Sequence, residues 1–160
     1  MAWIADLKLA YQIFMRAYPY RRVDWRPGSL LQKPLSKSRI AAVSTAGFFL
    51  PDQNPFDTSI RGGDTSYRMI PMDADLKTLG IAHRSDAFDI RGISADKNLA
   101  LPLARLRSLA ADGLIGTVAP RHYSFMGSIM APGRLIANTA PEVAAALHED
   151  AVDAVILTPV

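Results

Sequence analysis

Cysteine is absent from the 160 residues. That excludes a disulfide, a thiolate nucleophile and a cysteine metal site within this stretch. Thiol-type redox chemistry would need a residue that is not here. Long apolar runs are missing too, so no membrane-spanning helix is indicated. The apolar-rich start carries Asp6 and Lys8 and is followed by no small-residue cleavage site. A secretory signal is therefore not expected, and a cytoplasmic protein is the default. Histidine is scarce: His83, His122 and His148 lack ligand spacing, so no metal site is expected. Phosphate-binding fingerprints are also lacking. Gly62-Gly63-Asp64 has no Gly-Lys-Ser/Thr ending, and no G-x-G-x-x-G follows a strand. Ser124 does not sit in a Gly-x-Ser-x-Gly elbow, which removes the α/β-hydrolase pattern.

What is present suits one globular domain. Hydrophobic residues make up 49% and charged residues 21%, enough for a buried core at this length. The net charge of +3 and a pI near 9.4 are too mild by themselves to imply nucleic acid. A basic, aromatic-rich arm spans residues 19–38, with Arg16, Arg21, Arg22, Arg26, Lys33, Lys37 and Arg39 in or beside it and Tyr18, Tyr20 and Trp25 between them. Stacking on single-stranded nucleic acid is one use of such an arm, and a solvated or partner-docked arm is the plainer one. No nucleic-acid or membrane partner is expected.

The periodicity sets out the elements. Ile4, Leu7, Tyr11, Phe14 and Tyr18 mark an amphipathic helix over residues 4–18. Residues 39–49 predict a first strand leading into Ser44-Thr45-Ala46-Gly47, the form of a loop at a sheet's carboxyl edge. A long polar loop follows, then a short strand at Tyr67–Pro71, a helical turn at Asp75–Thr78 and a third strand at Leu79–His83. Residues 84–98 read as loop. Asn98 is a candidate cap for a helix running to about Asp112, with Gly113 as its stop. Leu114–Val118 reads as strand and Ala119–Gly133 as loop. Thr139-x-x-Glu142 has the capping-box pattern for a helix over Pro141–Glu149. The run ending Ala154-Val-Ile-Leu-Thr-Pro-Val160 reads as a buried parallel strand. Together these predict an α/β, three-layer, Rossmann- or flavodoxin-like mostly parallel sheet, expected to be incomplete. The expected division is a helix and basic arm over 1–38 and an α/β domain over 39–160.

Candidate chemistry follows from the strand ends, where α/β proteins gather ligands. Ser44–Gly47, Gly63–Arg68, His83, Arg121–Gly127 and the C-terminus would share that edge. Gly62-Gly63-Asp64 is either a plain turn or an anion-facing loop. His83 and His122 are candidate proton donors or hydrogen-bond partners, and a structural role is open for each.

Several literal blocks carry a resemblance: Val43-Ser-Thr-Ala-Gly47, Pro51-x-Gln53-x-Pro55-Phe56, Gly63-Asp-Thr-Ser-Tyr-Arg68, Asp96-x-Asn98-x-x-x-Pro102, Arg105-Leu106, Tyr123-Ser-Phe-Met-Gly127 and Leu157-Thr-Pro-Val160. From about Trp25 onward the chain resembles the selenoprotein B family of glycine, sarcosine, betaine and D-proline reductases. The resemblance implies that selenocysteine, or cysteine, follows Val160, so that the chain is the N-terminal part of a longer protein. It implies a selenolate that attacks the carbon alpha to a carboxylate and breaks a C–N bond, then is reset by a dithiol donor. It also implies reductase partner subunits, one of which can carry a pyruvoyl group; no cofactor is expected in this chain. His83 and His122 would then be catalytic candidates. Gly63, Asp64, Thr65, Ser66, Arg68, Tyr123 and Ser124 would bind a small amino-acid or betaine-type substrate, with Arg68 on its carboxylate. The competing reading is a non-catalytic α/β module that binds a small carboxylate metabolite.

Overall fold

A computed structural model describes residues 5, 8–18, 24, 28–85 and 88–160. The chain divides into two units, Met1–Leu30 and Leu31–Val160. In the first, α1 spans Leu9–Ala17. Leu9, Ile13 and Phe14 on it are all more than half exposed, and Phe14 and Tyr18 stack at 5.4 Å. Ile4 and Leu7 of the expected stripe lie outside the described residues, as do Tyr20, Arg21, Arg22, Trp25 and Arg26 of the basic arm. Among the described residues no helix is long and apolar enough to cross a membrane.

The second unit is built on β1, Arg39–Ser44. Ile40, Ala41 and Ala42 are buried, as a strand covered on both faces requires. Gly47 turns the chain into β2, Phe48–Phe49, and β3 follows at Tyr67–Pro71. The next elements are β4 (Gly80–Ile81), α2 (Arg91–Ala95), α3 (Leu103–Ala111) and β5 (Thr117–Val118). They are followed by β6 (Arg121–Phe125), α4 (Ala140–Glu149) and β7 (Ala154–Thr158). On one side β1 pairs in parallel with β5 and then β6; on the other it pairs in parallel with β7, Ile40 facing Ala154 and Ser44 facing Thr158. β3 runs antiparallel to β6, with Tyr67 opposite Phe125. The sheet is thus mostly parallel.

Side chains alternate across β1 and divide the core in two. Ile40 and Ala42 join Phe48, Leu101, Leu103 and Leu106 under α3. Val43 joins Tyr123, Phe125 and Val143 under α4. Helices therefore cover both faces, the expected three-layer α/β arrangement. Full burial of a side chain such as Leu103 contributes about 2 kcal/mol.

Several local expectations are corrected. The predicted loop 119–133 contains β6, because His122 and Ser124 are buried by backbone bonding rather than by apolar character. The Ala42 N–H donates to His122 Nδ1 (3.0 Å) and the Phe48 N–H to Ser124 Oγ (2.8 Å). The third strand predicted at 79–83 shrinks to β4, which pairs only with β2 in a separate ribbon. The loop predicted at 84–98 holds α2. Asn98 does cap α3, its Oδ1 accepting from the Ala104 N–H at 3.0 Å, and Gly113 ends the following turn at φ +71°. The capping box does not form. Thr139 is already helical, inside a π-helical turn over Leu135–Thr139, and its hydroxyl donates to the Thr65 carbonyl at 2.8 Å instead. β7 is not buried on both faces: Leu157 is 71% exposed.

Candidate functional site

β1, β6 and β7 end together at Ser44, Phe125 and Thr158, and antiparallel β3 begins beside them. The loops leaving these ends meet at one edge. The Gly47 N–H donates to the Phe125 carbonyl (2.8 Å) and the Ala82 N–H to the Gly47 carbonyl (2.9 Å), which carries His83 to that edge.

His83 is half-buried and stacks against Phe88 at 4.6 Å. Its Nδ1 accepts the Ser85 N–H at 3.1 Å, and burial lowers its pKa from the ordinary 6.5. A neutral imidazole bonded this way carries its proton on Nε2. That Nε2 is buried and has no hydrogen-bond partner. A Cβ built on Gly127 would stand 2.9 Å from it and 2.7 Å from the Thr45 carbonyl oxygen, at a backbone φ of +71°. Gly127 therefore has to be glycine twice over, for its left-handed backbone and for the space.

Thr45 laces the end of β7. Its N–H donates to the Thr158 carbonyl (3.1 Å), its Oγ1 accepts the Val160 N–H (2.9 Å), and the same hydroxyl lies 3.3 Å from the Val160 carbonyl. His83, Gly127, Thr45 and Val160 form one cluster.

An open cleft of about 680 Å³ opens at the same edge, between the 60–66 loop and residues 131–139. Gly63, Asp64, Thr65 and Ser66 line it. Asp64 organises the loop by accepting the Ser66 N–H and Oγ–H at 2.9 and 2.6 Å and the Asp57 N–H at 2.9 Å. Burial pushes the Asp64 carboxyl up, but these hydrogen bonds, helped by Arg68, outweigh it and hold the group below its usual range.

Arg68 is committed elsewhere. Its guanidinium donates to the carbonyls of Asn54 (2.7 Å), Pro55 (3.1 Å) and Tyr67 (2.9 Å) and to Ser66 Oγ (2.9 Å), and sits 4.3 Å over the Phe56 ring. It clamps the 54–56 loop and does not line the cleft. His122 lies within the sheet, opposite Ile70, wholly buried. Burial drives its pKa down to about 4, so it is neutral at pH 7. Tyr123 is packed edge-on to Tyr67 at 5.7 Å under α4, and Ser124 is spent on Phe48. The edge therefore gathers Gly63–Ser66 and His83, while His122, Tyr123 and Ser124 are in the core.

Residue-type reasoning placed Thr45 at the edge within Ser44–Gly47 but gave it no role of its own, and it missed Thr139 and Arg134. A signal for the last was available: Arg134 is the only Asp, Glu, Lys or Arg between Arg121 and Glu142. Thr45 and Thr139 act through backbone bonds and leave no pattern.

Comparison with known proteins gives the following. The family model described as glycine/sarcosine/betaine reductase selenoprotein B (GRDB) matches residues 7–160. The chain is 33% identical to the D-proline reductase subunit gamma of Acetoanaerobium sticklandii, over 84% of this chain and 52% of that protein. It is 33% identical to the glycine reductase complex component B subunit gamma of Symbiobacterium thermophilum, over 94% of this chain and 35% of that one. With the betaine reductase complex component B subunit beta of Peptoclostridium acidaminophilum it shares 30%, over 94% and 34%. The chain thus spans about half of the first relative and a third of the other two. No solved structure matches it.

Proposed function

This chain belongs to the glycine/sarcosine/betaine reductase selenoprotein B family, and on that footing we propose that it is the N-terminal part of a selenocysteine- or cysteine-dependent reductase. The substrate would be an amino acid or a betaine-type compound, cleaved at its C–N bond. A selenolate or thiolate joined after Val160 would attack the carbon alpha to the carboxylate, the C–N electron pair leaving with the amine. A nearby thiol would then attack the selenium or sulfur, the C–Se or C–S pair taking a proton on carbon to release the reduced acid. A dithiol donor would reduce the resulting selenenyl sulfide or disulfide.

The residues present suit such a group. Thr45 holds the backbone of Val160, so the next residue is fixed in place relative to the β1 loop. Gly127 keeps a side chain out of the gap between Thr45 and His83. His83 would offer the departing amine a hydrogen bond from its uncharged Nε2–H, the proton itself coming from solvent. The Gly63–Ser66 loop faces the substrate from the cleft. A pyruvoyl group, where a partner subunit carries one, would make the amine a better leaving group; it belongs to that subunit and needs no residue of this chain. Subunits of reductase complexes among the relatives support the presence of such partners.

The observation that carries the reading is the unpartnered Nε2–H of His83 beside the Thr45–Val160 clamp. The test uses the complete reading frame containing this chain, purified with its partner subunits. Glycine, sarcosine, betaine and D-proline are each supplied with dithiothreitol, and C–N cleavage is measured as released amine or, for D-proline, whose amine stays tethered, as the ring-opened amino acid. One substrate should be cleaved, and His83→Ala should slow cleavage by about 10-fold or more. Cleavage that survives replacement of the residue after Val160 by alanine would contradict the proposal.

A further inference from the structure

Of the guanidinium groups of the α/β unit, those of Arg39, Arg91 and Arg107 are bonded to neighbouring groups, and those of Arg68, Arg84 and Arg121 are committed as well. Arg68 is held by the 54–56 loop as described. Arg84 donates to the carbonyls of Ile60 (2.7 Å) and Arg61 (2.6 Å). Arg121 is paired with Asp150 at 2.8 Å and Glu149 at 3.2 Å. Arg134 lines the cleft of about 680 Å³ with Gly62, Gly63, Thr65, Ser66 and Thr139. It is exposed, and among the described residues its guanidinium has no hydrogen bond or ion pair. Asp64, the one acidic residue lining this cleft, makes no ion pair with it: its oxygens accept from Ser66 and Asp57, and the nearby charge that acts on it is that of Arg68.

The cleft walls are tied before any ligand arrives. The Ala131 N–H donates to the Gly62 carbonyl at 3.0 Å, and Thr139 Oγ1 to the Thr65 carbonyl at 2.8 Å. A Cβ on Gly63 would meet the Ile129 Cα at 2.8 Å, so the two loops are in direct contact there. Ile129 is two residues from Gly127, hence within about 7 Å of it along the chain, and Gly127 touches His83 and Thr45. The cleft wall and the His83 cluster are thus joined through the backbone between Gly127 and Ala131. A preorganised wall with one free cation loses little entropy on binding an anion.

We infer that Arg134, and not Arg68, anchors the carboxylate of a small amino-acid or betaine-type substrate in this cleft. Its planar fork suits a carboxylate bidentately. The inference takes its substrate class from the reductase reading above, and its geometry from the cleft.

The test is equilibrium binding to the product of the complete reading frame. The probes are glycine, sarcosine, betaine and D-proline, each beside its uncharged amide at the carboxyl end. Arg134→Ala should weaken the carboxylate probe that binds by about 10- to 100-fold and leave its amide unchanged. Arg134→Lys should restore part of the loss. Arg68→Met should leave the carboxylate-over-amide preference as it is. Equal weakening of acid and amide, or no weakening, overturns the inference. C–N cleavage on the same samples, read as released amine or as ring-opened D-proline, separates the two readings. Cleavage by the parent protein with unaltered binding in Arg134→Ala overturns the Arg134 assignment alone. Carboxylate binding that depends on Arg134 without C–N cleavage of any probe supports the assignment and overturns the reductase reading. No binding of any probe overturns both.

Discussion

Acid should weaken this fold through a single buried imidazole. His122 is wholly buried on β6, its Nδ1 accepting the Ala42 N–H, and its pKa falls from the ordinary 6.5 to about 4. Burial is the main cause; a backbone contact at Ala119 and the charge of Asp150 pull the other way, while Arg107 adds to the lowering. The sign follows from proton binding. Between pH 6.5 and 4 the unfolded chain takes up a proton that the folded chain refuses, so stability falls as pH falls through that window. At about 1.4 kcal/mol per pH unit the loss by pH 4 is about 3 kcal/mol, a large share of a domain's usual margin. His83, also lowered by burial, acts in the same direction. Asn in place of His122 keeps an acceptor near the Ala42 N–H and removes the titration. Urea unfolding of parent and His122→Asn, followed by far-ultraviolet circular dichroism at pH 7 and pH 4, isolates the effect. The variant should start less stable at pH 7 and lose about 3 kcal/mol less on acidification. Equal losses in the two proteins would refute the reasoning.

Further consequences are as direct. Gly127→Ala forces a side chain into a left-handed position, at about 1–2 kcal/mol, and against Thr45 and His83. Its melting point should drop by several degrees, and an unchanged melt would mean that the cluster is loose. Arg68→Met keeps the stem over Phe56 but removes the donors to Asn54 and Pro55. The 54–56 loop should then open to limited proteolysis, with about 2 kcal/mol lost; unaltered cleavage would show that the clamp is dispensable. β7 pairs with β1 alone among the described residues and presents Ile156 and Leu157, an edge open to pairing with another chain. Residues 1–160 alone should therefore aggregate, and Leu157→Lys should lower light scattering without lowering the melting point. A sharp, reversible, monomeric melt of the unsubstituted residues 1–160 would contradict this.

Much of the architecture was legible because apolar period and turn chemistry agreed. The run Ile40–Val43 marked the central strand, Asn98 and Gly113 bracketed α3, and the final run marked β7. β6 was not legible, because Arg121-His-Tyr-Ser-Phe125 buries polar side chains that bond to β1 and to the turn after it. Thr139 has the residue types of a capping box, yet the helical turn before it takes the backbone past the cap position. At the edge, residue type pointed correctly to the Gly63–Ser66 loop and to His83 as residues that gather there. It could not tell Arg68 from Arg134, since the difference lies in which guanidinium is already bonded. Nor could it separate His83 from His122, one at the strand ends and the other inside the sheet.

The most direct test of the account is the coding DNA immediately after the Val160 codon. The account predicts an in-frame UGA or a cysteine codon, followed by a nearby cysteine codon and a long open frame. A UAA or UAG stop, or a UGA with no coding frame behind it, would leave the cluster of Thr45, Gly127 and His83 without a nucleophile and would contradict the reductase reading.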